Sequence, residues 1–70
     1  MQRGIYRHYK GALYELLETA THSETGERLV VYRALYGDYG VWVRPLEMFA
    51  ESVEQNGHPA PRFDLVKAFD

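Results

Sequence analysis

The chain contains no cysteine. Disulfides, thiolate metal sites and thiol nucleophiles are therefore excluded, and so is the cross-link that stabilises most small secreted domains. No apolar run approaches the ~20 residues that a membrane-spanning helix requires, and the N-terminus has no apolar segment typical of a signal peptide. We therefore expect a soluble, cytoplasmic protein that is complete as written and does not contact a membrane.

The chain also has no excess of basic over acidic residues. The chain has 8 lysines and arginines against 10 aspartates and glutamates, for a net charge of −2. Affinity for nucleic acid comes largely from neutralised phosphates, so proteins that bind it in general carry a strong positive charge. The charge disfavours a nucleic-acid partner but leaves room for a local basic patch.

The amino acids that are present predict one small globular domain, residues 1–70. Hydrophobic residues make up 46% of the 70 residues and aromatic residues 14%. This composition is far from that of disordered chains, but the length allows only one core. A core of this size contributes a net stability of roughly 3–5 kcal/mol.

A first strand is predicted between Gly4 and Gly11, because turn-forming glycines flank a run rich in tyrosine. Alternation along a strand gives two sets of side chains, Ile5, Arg7 and Tyr9 on one face and Tyr6, His8 and Lys10 on the other. We expect Ile5 and Tyr9 to lie in the core. The second set would then be displayed on the surface.

A hairpin is predicted next. The apolar pattern of residues 12–20 fits either a strand or a helix, and we interpret it as a strand because a turn follows at 23–26. Gly26 supplies the positive φ of a bulged type I turn. The partner strand, residues 28–36, is apolar on both faces, which predicts that both faces are covered. A second turn at 37–40 leads into a strand at 41–44.

A helix of about ten residues is predicted from Pro45, which suits a first helical turn. Asn56-Gly57 is interpreted as its end, and Pro59 and Pro61 as a stiff linker to a last strand at 62–66. The apolar residues of the helix recur at i, i+3, i+4 and i+7, and they are Leu46, Phe49, Ala50 and Val53.

These elements predict a mainly β fold with one short helix. The first expectation is a small SH3-like barrel or a strongly curved antiparallel sheet, since closure removes exposed strand edges. The alternative is an α+β arrangement, in which the helix packs on an open antiparallel sheet.

The order of several short motifs resembles a known family. These motifs are YRHYKG at 6–11, VVYR at 30–33, WVRP at 42–45 and PRF at 61–63. From Gly4 to Phe63 the pattern is similar to a family of short bacterial proteins known as domain of unknown function 1653. The resemblance implies a compact, mostly β domain that occurs as a stand-alone bacterial protein. It implies no activity.

One group of polar and aromatic residues is the candidate ligand-binding surface. Trp42 and Arg44 share a strand face, and Tyr36 and Tyr39 lie just before them, so an aromatic platform would stand beside a guanidinium. Such a pair can stack a planar ring or bind a carboxylate or phosphate. Core packing is the competing interpretation of these aromatics. The full candidate set is Tyr6, His8, Lys10, Trp42, Arg44 and Arg62.

Arg33 lies in the middle of an apolar strand and therefore needs a partner. We expect it to pair with a carboxylate across the sheet, either Glu15 or Asp64.

Catalytic motifs are weak. His8, His22 and His58 have no metal-ligand spacing, so we expect no metal and no cofactor. The run His22-Ser23-Glu24 is not a nucleophile set, because adjacent side chains of a strand point to opposite faces.

Three functions remain, and the first is favoured. It is a non-enzymatic binding module for a peptide or a small anionic ligand. The second is nucleic-acid binding by the same residues. The third is a small enzyme with His8 or His22 as general base beside an arginine. We expect a monomer, or a weak homodimer that forms through an open strand edge.

Overall fold

The computed structural model describes residues 1–69, in which 58% of the residues lie in strands and one short helix is present. The elements in chain order are β1 (Gly4–His8), β2 (Leu13–Thr21), β3 (Arg28–Ala34), β4 (Val41–Pro45), α1 (Leu46–Phe49), β5 (Ser52–Gln55), β6 (His58–Pro61) and β7 (Phe63–Ala68). The predicted mainly β class with one short helix is confirmed.

The strands form two antiparallel sheets. The larger has the order β4-β3-β2-β1-β7, and the smaller is the hairpin β5-β6. Within residues 1–69, β4 and β7 each pair on one side, so the sheet stays open and does not close into a barrel. Of the predicted architectures, the open antiparallel sheet is the one found.

The turn between β2 and β3 reverses the chain through a glycine and two backbone hydrogen bonds. Gly26 has φ 77°, as the bulged turn predicts. Its N–H donates to the His22 carbonyl at 2.9 Å, and the His22 N–H donates to the Glu27 carbonyl at 2.7 Å. These bonds close the hairpin and set the register in which Thr21 lies opposite Arg28.

The core lies on one face of the large sheet. Phe49 from α1 stacks on Phe63 from β7, with ring centroids 4.0 Å apart and planes 2° apart. The edge of Tyr6 meets Phe49 at 5.5 Å. The buried cluster comprises Tyr6, Leu16, Val30, Tyr32, Phe49 and Phe63.

The predicted exposure of two strand faces is wrong. Tyr6 is 3% exposed, whereas Ile5 and Tyr9 are half-buried, so the face of β1 expected on the surface is the one that packs. Similarly, β3 buries Val30 on the core face, but Val31 on the other face is half-exposed. The far face of the sheet has no covering layer within residues 1–69, which explains both differences.

The predicted ten-residue helix is also wrong. α1 spans four residues, and Val53 pairs with Ala60 in the β5-β6 hairpin. Asn56 (φ 53°) and Gly57 (φ 78°) form the two-residue turn of this hairpin instead of a helix end. Both central residues have positive φ, which is the geometry that Asn-Gly favours in hairpins. No helix within the described residues is long and apolar enough to cross a membrane.

Candidate functional site

A cleft opens on the core face of the sheet, beside the turn between β3 and β4. Its volume is about 410 Å³. Strands β2, β3 and β4 supply its aromatic walls, and residues 36–40 of the turn supply one end. It is lined by Tyr14, Tyr32, Ala34, Tyr36, Gly37, Asp38, Gly40, Trp42 and Arg44.

Strand register explains the depression. Tyr14 of β2 lies opposite Ala34 of β3, and Tyr32 of β3 lies opposite Trp42 of β4. Directly opposed residues of an antiparallel pair project on the same face with Cβ atoms about 5 Å apart. Because Ala34 has only a methyl group among these rings, the face dips at Ala34 and the aromatic side chains surround the dip.

Gly40 determines where Trp42 rests. A Cβ at Gly40 would lie 3.2 Å from Nε1 of Trp42 and 3.7 Å from the adjacent ring carbon Cε2. The indole therefore lies against a stretch of backbone that has no side chain. Trp42 is nevertheless 61% exposed, so most of its surface faces the solvent.

Two phenols meet at the wall of the cleft. The hydroxyls of Tyr14 and Tyr36 are 2.7 Å apart, and their rings make an edge contact at 5.5 Å. Burial, followed by the hydrogen bond with Tyr36, raises the pKa of Tyr14 to about 12. Tyr14 is thus a neutral phenol at physiological pH, which suits hydrogen bonding rather than proton abstraction.

Arg44 supplies the positive charge of the cleft. Its guanidinium carbon lies 5.9 Å from the centre of the Phe63 ring, close enough for a cation–π contact. The single ion pair within residues 1–69 joins Arg62 to Glu51, so no carboxylate in this part of the chain lies within ion-pair distance of Arg44, although Asp38 also lines the cleft. A guanidinium in this position can receive an anion from outside.

His8 lies beside this charge. Its ring contacts Phe63 at 5.0 Å and Tyr14 at 6.3 Å. Burial, and then the positive charges of Arg62, Lys10 and Arg44, lower the pKa of His8 below its usual value. Lys10 and Arg44 thus place positive charge near His8, whereas the third cation, Arg62, is paired with Glu51.

Comparison with known proteins places this geometry in a family. The family model described as "Protein of unknown function (DUF1653)" matches residues 4–65. The chain belongs to the DUF1653 family. A crystal structure of a DUF1653 protein from Bordetella bronchiseptica is 39% identical, with a TM-score of 0.87, over 100% of this chain and 92% of that one. No curated protein matches the chain.

Membership of DUF1653 confirms the resemblance and brings no activity with it, so the function rests on the site. The Trp42 and Arg44 part of the predicted binding set lies together on the cleft. Arg62 is held by Glu51 at 2.9 Å and is 24% exposed. Lys10 lies in the turn after β1, where its ammonium sits 5.7 Å from the Tyr9 ring centre.

Tyr6 belongs to the core of the DUF1653 chain and not to its surface. Its hydroxyl donates to the Gln2 carbonyl, and burial raises its pKa. Tyr6 therefore cannot contact a ligand, and it contributes to the site only by packing in the core beneath it.

Several residues of the cleft were not predicted from the sequence. Tyr14 and Tyr32 are distant from Trp42 along the chain, and Ala34 carries no chemical signal. The alternation of β3 places Tyr32 and Ala34 on one face, but only the strand register shows which face meets Trp42.

Arg33 does not form the ion pair that was predicted. Glu15 lies directly opposite it in the register, yet the guanidinium donates to the Tyr39 carbonyl at 2.8 Å. No ion pair to Glu15 or Asp64 occurs within residues 1–69. Arg33 therefore holds the turn after β3, on the far side of the sheet from the cleft.

His22 lies far from the cleft. Its Nδ1 accepts the N–H groups of Glu24 and Thr25 at 3.1 and 3.3 Å, so it shapes the β2-β3 turn. His8 and His22 stand beyond opposite ends of β2, a nine-residue strand of roughly 30 Å. One pocket cannot use both.

We expect the stability of the DUF1653 chain to fall as pH drops through the His8 titration. The unfolded imidazole takes a proton near its usual pKa of about 6.5, whereas the folded one resists it. The folded state thus binds fewer protons in this window, and its stability is full above that pH and decreases below it. Thermal midpoints measured between about pH 5 and 8 test this.

His8→Asn is the matched control, because its side-chain oxygen can still accept the Lys10 N–H that now reaches His8 Nδ1 at 3.2 Å. The variant should show a flatter pH dependence than the wild type. An unchanged pH dependence would mean that His8 does not titrate as its surroundings require.

Proposed function

We propose that this protein is a non-enzymatic binding module whose cleft holds a small ligand that has a planar ring and an anionic group. The ring would stack on Trp42 and the anion would contact Arg44. The observation that carries the proposal is the exposed indole of Trp42 beside a guanidinium that forms no ion pair within residues 1–69.

The size of the cleft supports a small ligand. Ligand pockets commonly have volumes of roughly 300–1,000 Å³, and this cleft has about 410 Å³. That space suits one aromatic acid or one nucleotide. A longer peptide would have to continue along the surface beyond the cleft.

The nature of the walls supports a planar group. Tyr14, Tyr32 and Trp42 present ring surfaces, and Ala34 keeps the floor low between them. Aromatic stacking contributes roughly 1–3 kcal/mol per planar ring bound on such a surface. A flat ligand gains this contact, whereas a bulky aliphatic one does not.

The charge supports an anion. Arg44 lies on the same strand face as Trp42, two residues away, so one ligand can reach both. Hydrogen bonds from a guanidinium to a carboxylate or phosphate are about twice as strong as neutral ones. Arg62 adds little to this charge, because it is paired with Glu51.

Trp42 is the single tryptophan of the chain, so its fluorescence reports directly on the cleft. We expect titration with AMP to quench this fluorescence. Adenosine supplies the ring without the charge, and inorganic phosphate supplies the charge without the ring, so each should bind more weakly. 4-Hydroxybenzoate tests whether a carboxylate replaces the phosphate.

Arg44→Gln should weaken the binding of the best probe by about 10-fold or more, since it removes one charge-assisted contact. Lys67→Gln on β7 removes the same charge away from the cleft and should have little effect. Ala34→Leu should also reduce binding, because the larger side chain fills the floor. Equal effects of Arg44→Gln and Lys67→Gln would overturn the proposal, as would no response to any probe at about 10 mM.

Nucleic acid is the second candidate, favoured by the basic side chains of Lys10 and Arg44 near His8 and opposed by the net charge of −2. A single-stranded oligonucleotide at low salt separates the two. If it binds much more tightly than AMP, and if its affinity falls steeply with salt, the ligand is a polyanion.

A further inference from the structure

The two free edges of the large sheet differ in chemistry. β4 begins with Val41, Trp42 and Val43, which are 47%, 61% and 62% exposed and carry no charge. The other edge strand, β7, includes Asp64 and Lys67, and its pairing with β1 is interrupted by a register shift. Charges and irregularities protect edges from pairing with other chains. Within residues 1–69, the first three residues of β4 thus lack this protection, and Arg44 and Pro45 follow only at the end of the strand.

The hydrogen bonds of β4 show which backbone groups face outwards. The Ala34 N–H donates to the Gly40 carbonyl at 3.0 Å, so this couple is a hydrogen-bonded pair. Bonded and non-bonded pairs alternate along an antiparallel ladder. Val41, Val43 and Pro45 therefore lie in the non-bonded pairs with β3, and their backbone groups point away from the sheet.

We propose that the protein forms a symmetric homodimer by antiparallel pairing of β4 with β4 of a second copy, with Val43 on the twofold axis. Each Val43 N–H then donates to the carbonyl of Val43 of the partner subunit. Each Val41 N–H donates to the carbonyl of Pro45 of the partner subunit, and the missing N–H of proline is not required. The dimer uses Trp42 and Arg44, which also line the cleft, so it is tested in the absence of ligand.

This register pairs the whole of β4 with itself and places no like charges directly opposite each other. The only charged residue of the strand, Arg44, lies opposite Trp42 of the partner subunit, where a guanidinium and an indole attract each other. A second copy is therefore complementary to this edge in hydrogen bonding and in charge.

The exposed area of the β4 edge limits the affinity of the dimer. The exposed parts of Val41, Trp42 and Val43 amount to roughly 300 Å² per copy, against about 800 Å² per partner in a standard stable interface. The dimer should therefore be weak and form only at high protein concentration.

Sedimentation equilibrium at about 0.5 mM protein tests the proposal, and we expect a dimer that dissociates on dilution. Val43→Pro removes the central outward N–H and no bond to β3, so it should fold and sediment as a monomer. Val43→Thr keeps that N–H and the β-branched shape, and it should still dimerise. The proposal would be overturned if the wild type were a monomer at this concentration or if Val43→Pro were a dimer. A monomeric wild type would indicate that the β4 edge binds an extended peptide instead.

Ile5→Gln distinguishes the edge from the uncovered face. Ile5 is in the same row as Val41 on that face, but β1 is three strands away from β4, or roughly 14 Å. The variant should dimerise like the wild type. Loss of its dimer would show that two copies pack face to face, and it would overturn edge pairing.

The absence of cysteine allows a test of the register. With Val43 on the axis, Val43→Cys places two cysteines in directly opposed positions, with Cα atoms about 5.5 Å apart, within disulfide range. Trp42→Cys places them diagonally, beyond ~7 Å, which is too far for a disulfide. Mild oxidation should cross-link the first variant only. Cross-linking of Trp42→Cys alone would overturn this register.

Discussion

Replacement of Phe49 by alanine is expected to unfold a large fraction of the protein at room temperature. Phe49 is fully buried, stacks on Phe63 and contacts Tyr6 and Tyr32. Removal of a buried phenylalanine ring costs about 3–5 kcal/mol, because transfer energy is lost and a cavity remains. A domain of this size has roughly 3–5 kcal/mol in total. The substitution therefore removes nearly all of the stability.

Urea denaturation followed by circular dichroism measures this effect, with Phe49→Leu as the control. Leucine keeps most of the volume and should cost about 1–1.5 kcal/mol, which lowers the thermal midpoint by roughly 4–12 °C. If Phe49→Ala melted as close to the wild type as the leucine variant does, α1 would not be part of the core as described.

Gly4→Ala should be the most damaging one-carbon change in the chain. A Cβ at Gly4 would meet the backbone carbonyl oxygen of Lys67 and lie 3.1 Å from Cα of Ala68. Backbone atoms cannot rotate away as a side chain can, so β1 and β7 must separate at this end. We expect a loss of about 3 kcal/mol, at the upper end of the usual cost of overpacking.

Gly40→Ala is the matched control, since its nearest obstacle is the movable indole of Trp42 at 3.2 Å. It should cost less than about 1 kcal/mol and change the Trp42 emission spectrum, because the indole must shift. Equal stability losses in the two variants would contradict the close approach of β1 and β7. Thermal melting and fluorescence spectra of both variants provide the comparison.

The sequence predicted local structure well where one signal acted alone. The turn at Gly26 and the strand over 41–44 follow from residue type and are confirmed. For residues 46–57 the sequence gives two conflicting indications. The apolar spacing of Leu46 to Val53 favours a helix, whereas the Asn56-Gly57 dipeptide favours a hairpin. The hairpin forms because Val53 pairs with Ala60, a contact that periodicity does not reveal.

The choice of buried face could not be predicted in the same way. Alternation separates Ile5 from Tyr6 but does not show which of them packs, since both are hydrophobic. Phe49 and Phe63 determine which face of β1 is buried. They cover the Tyr6 face, and no layer covers the Ile5 face within residues 1–69. The candidate site was predicted in part for the same reason. Trp42 and Arg44 share a strand, whereas Tyr14 reaches them only through the pairing of β2 with β3.

The pairing of the first strand with the last has a consequence for synthesis on the ribosome. β1 lies between β2 and β7, and the Phe69 N–H donates to the Arg3 carbonyl at 2.8 Å. Strands β1 to β4 can pair in the order in which they emerge, but Phe63 and β7 arrive last. Until then one side of β1 is bare and Phe49 lacks its stacking partner. The domain thus reaches its cooperative native state only after β7 has left the exit tunnel.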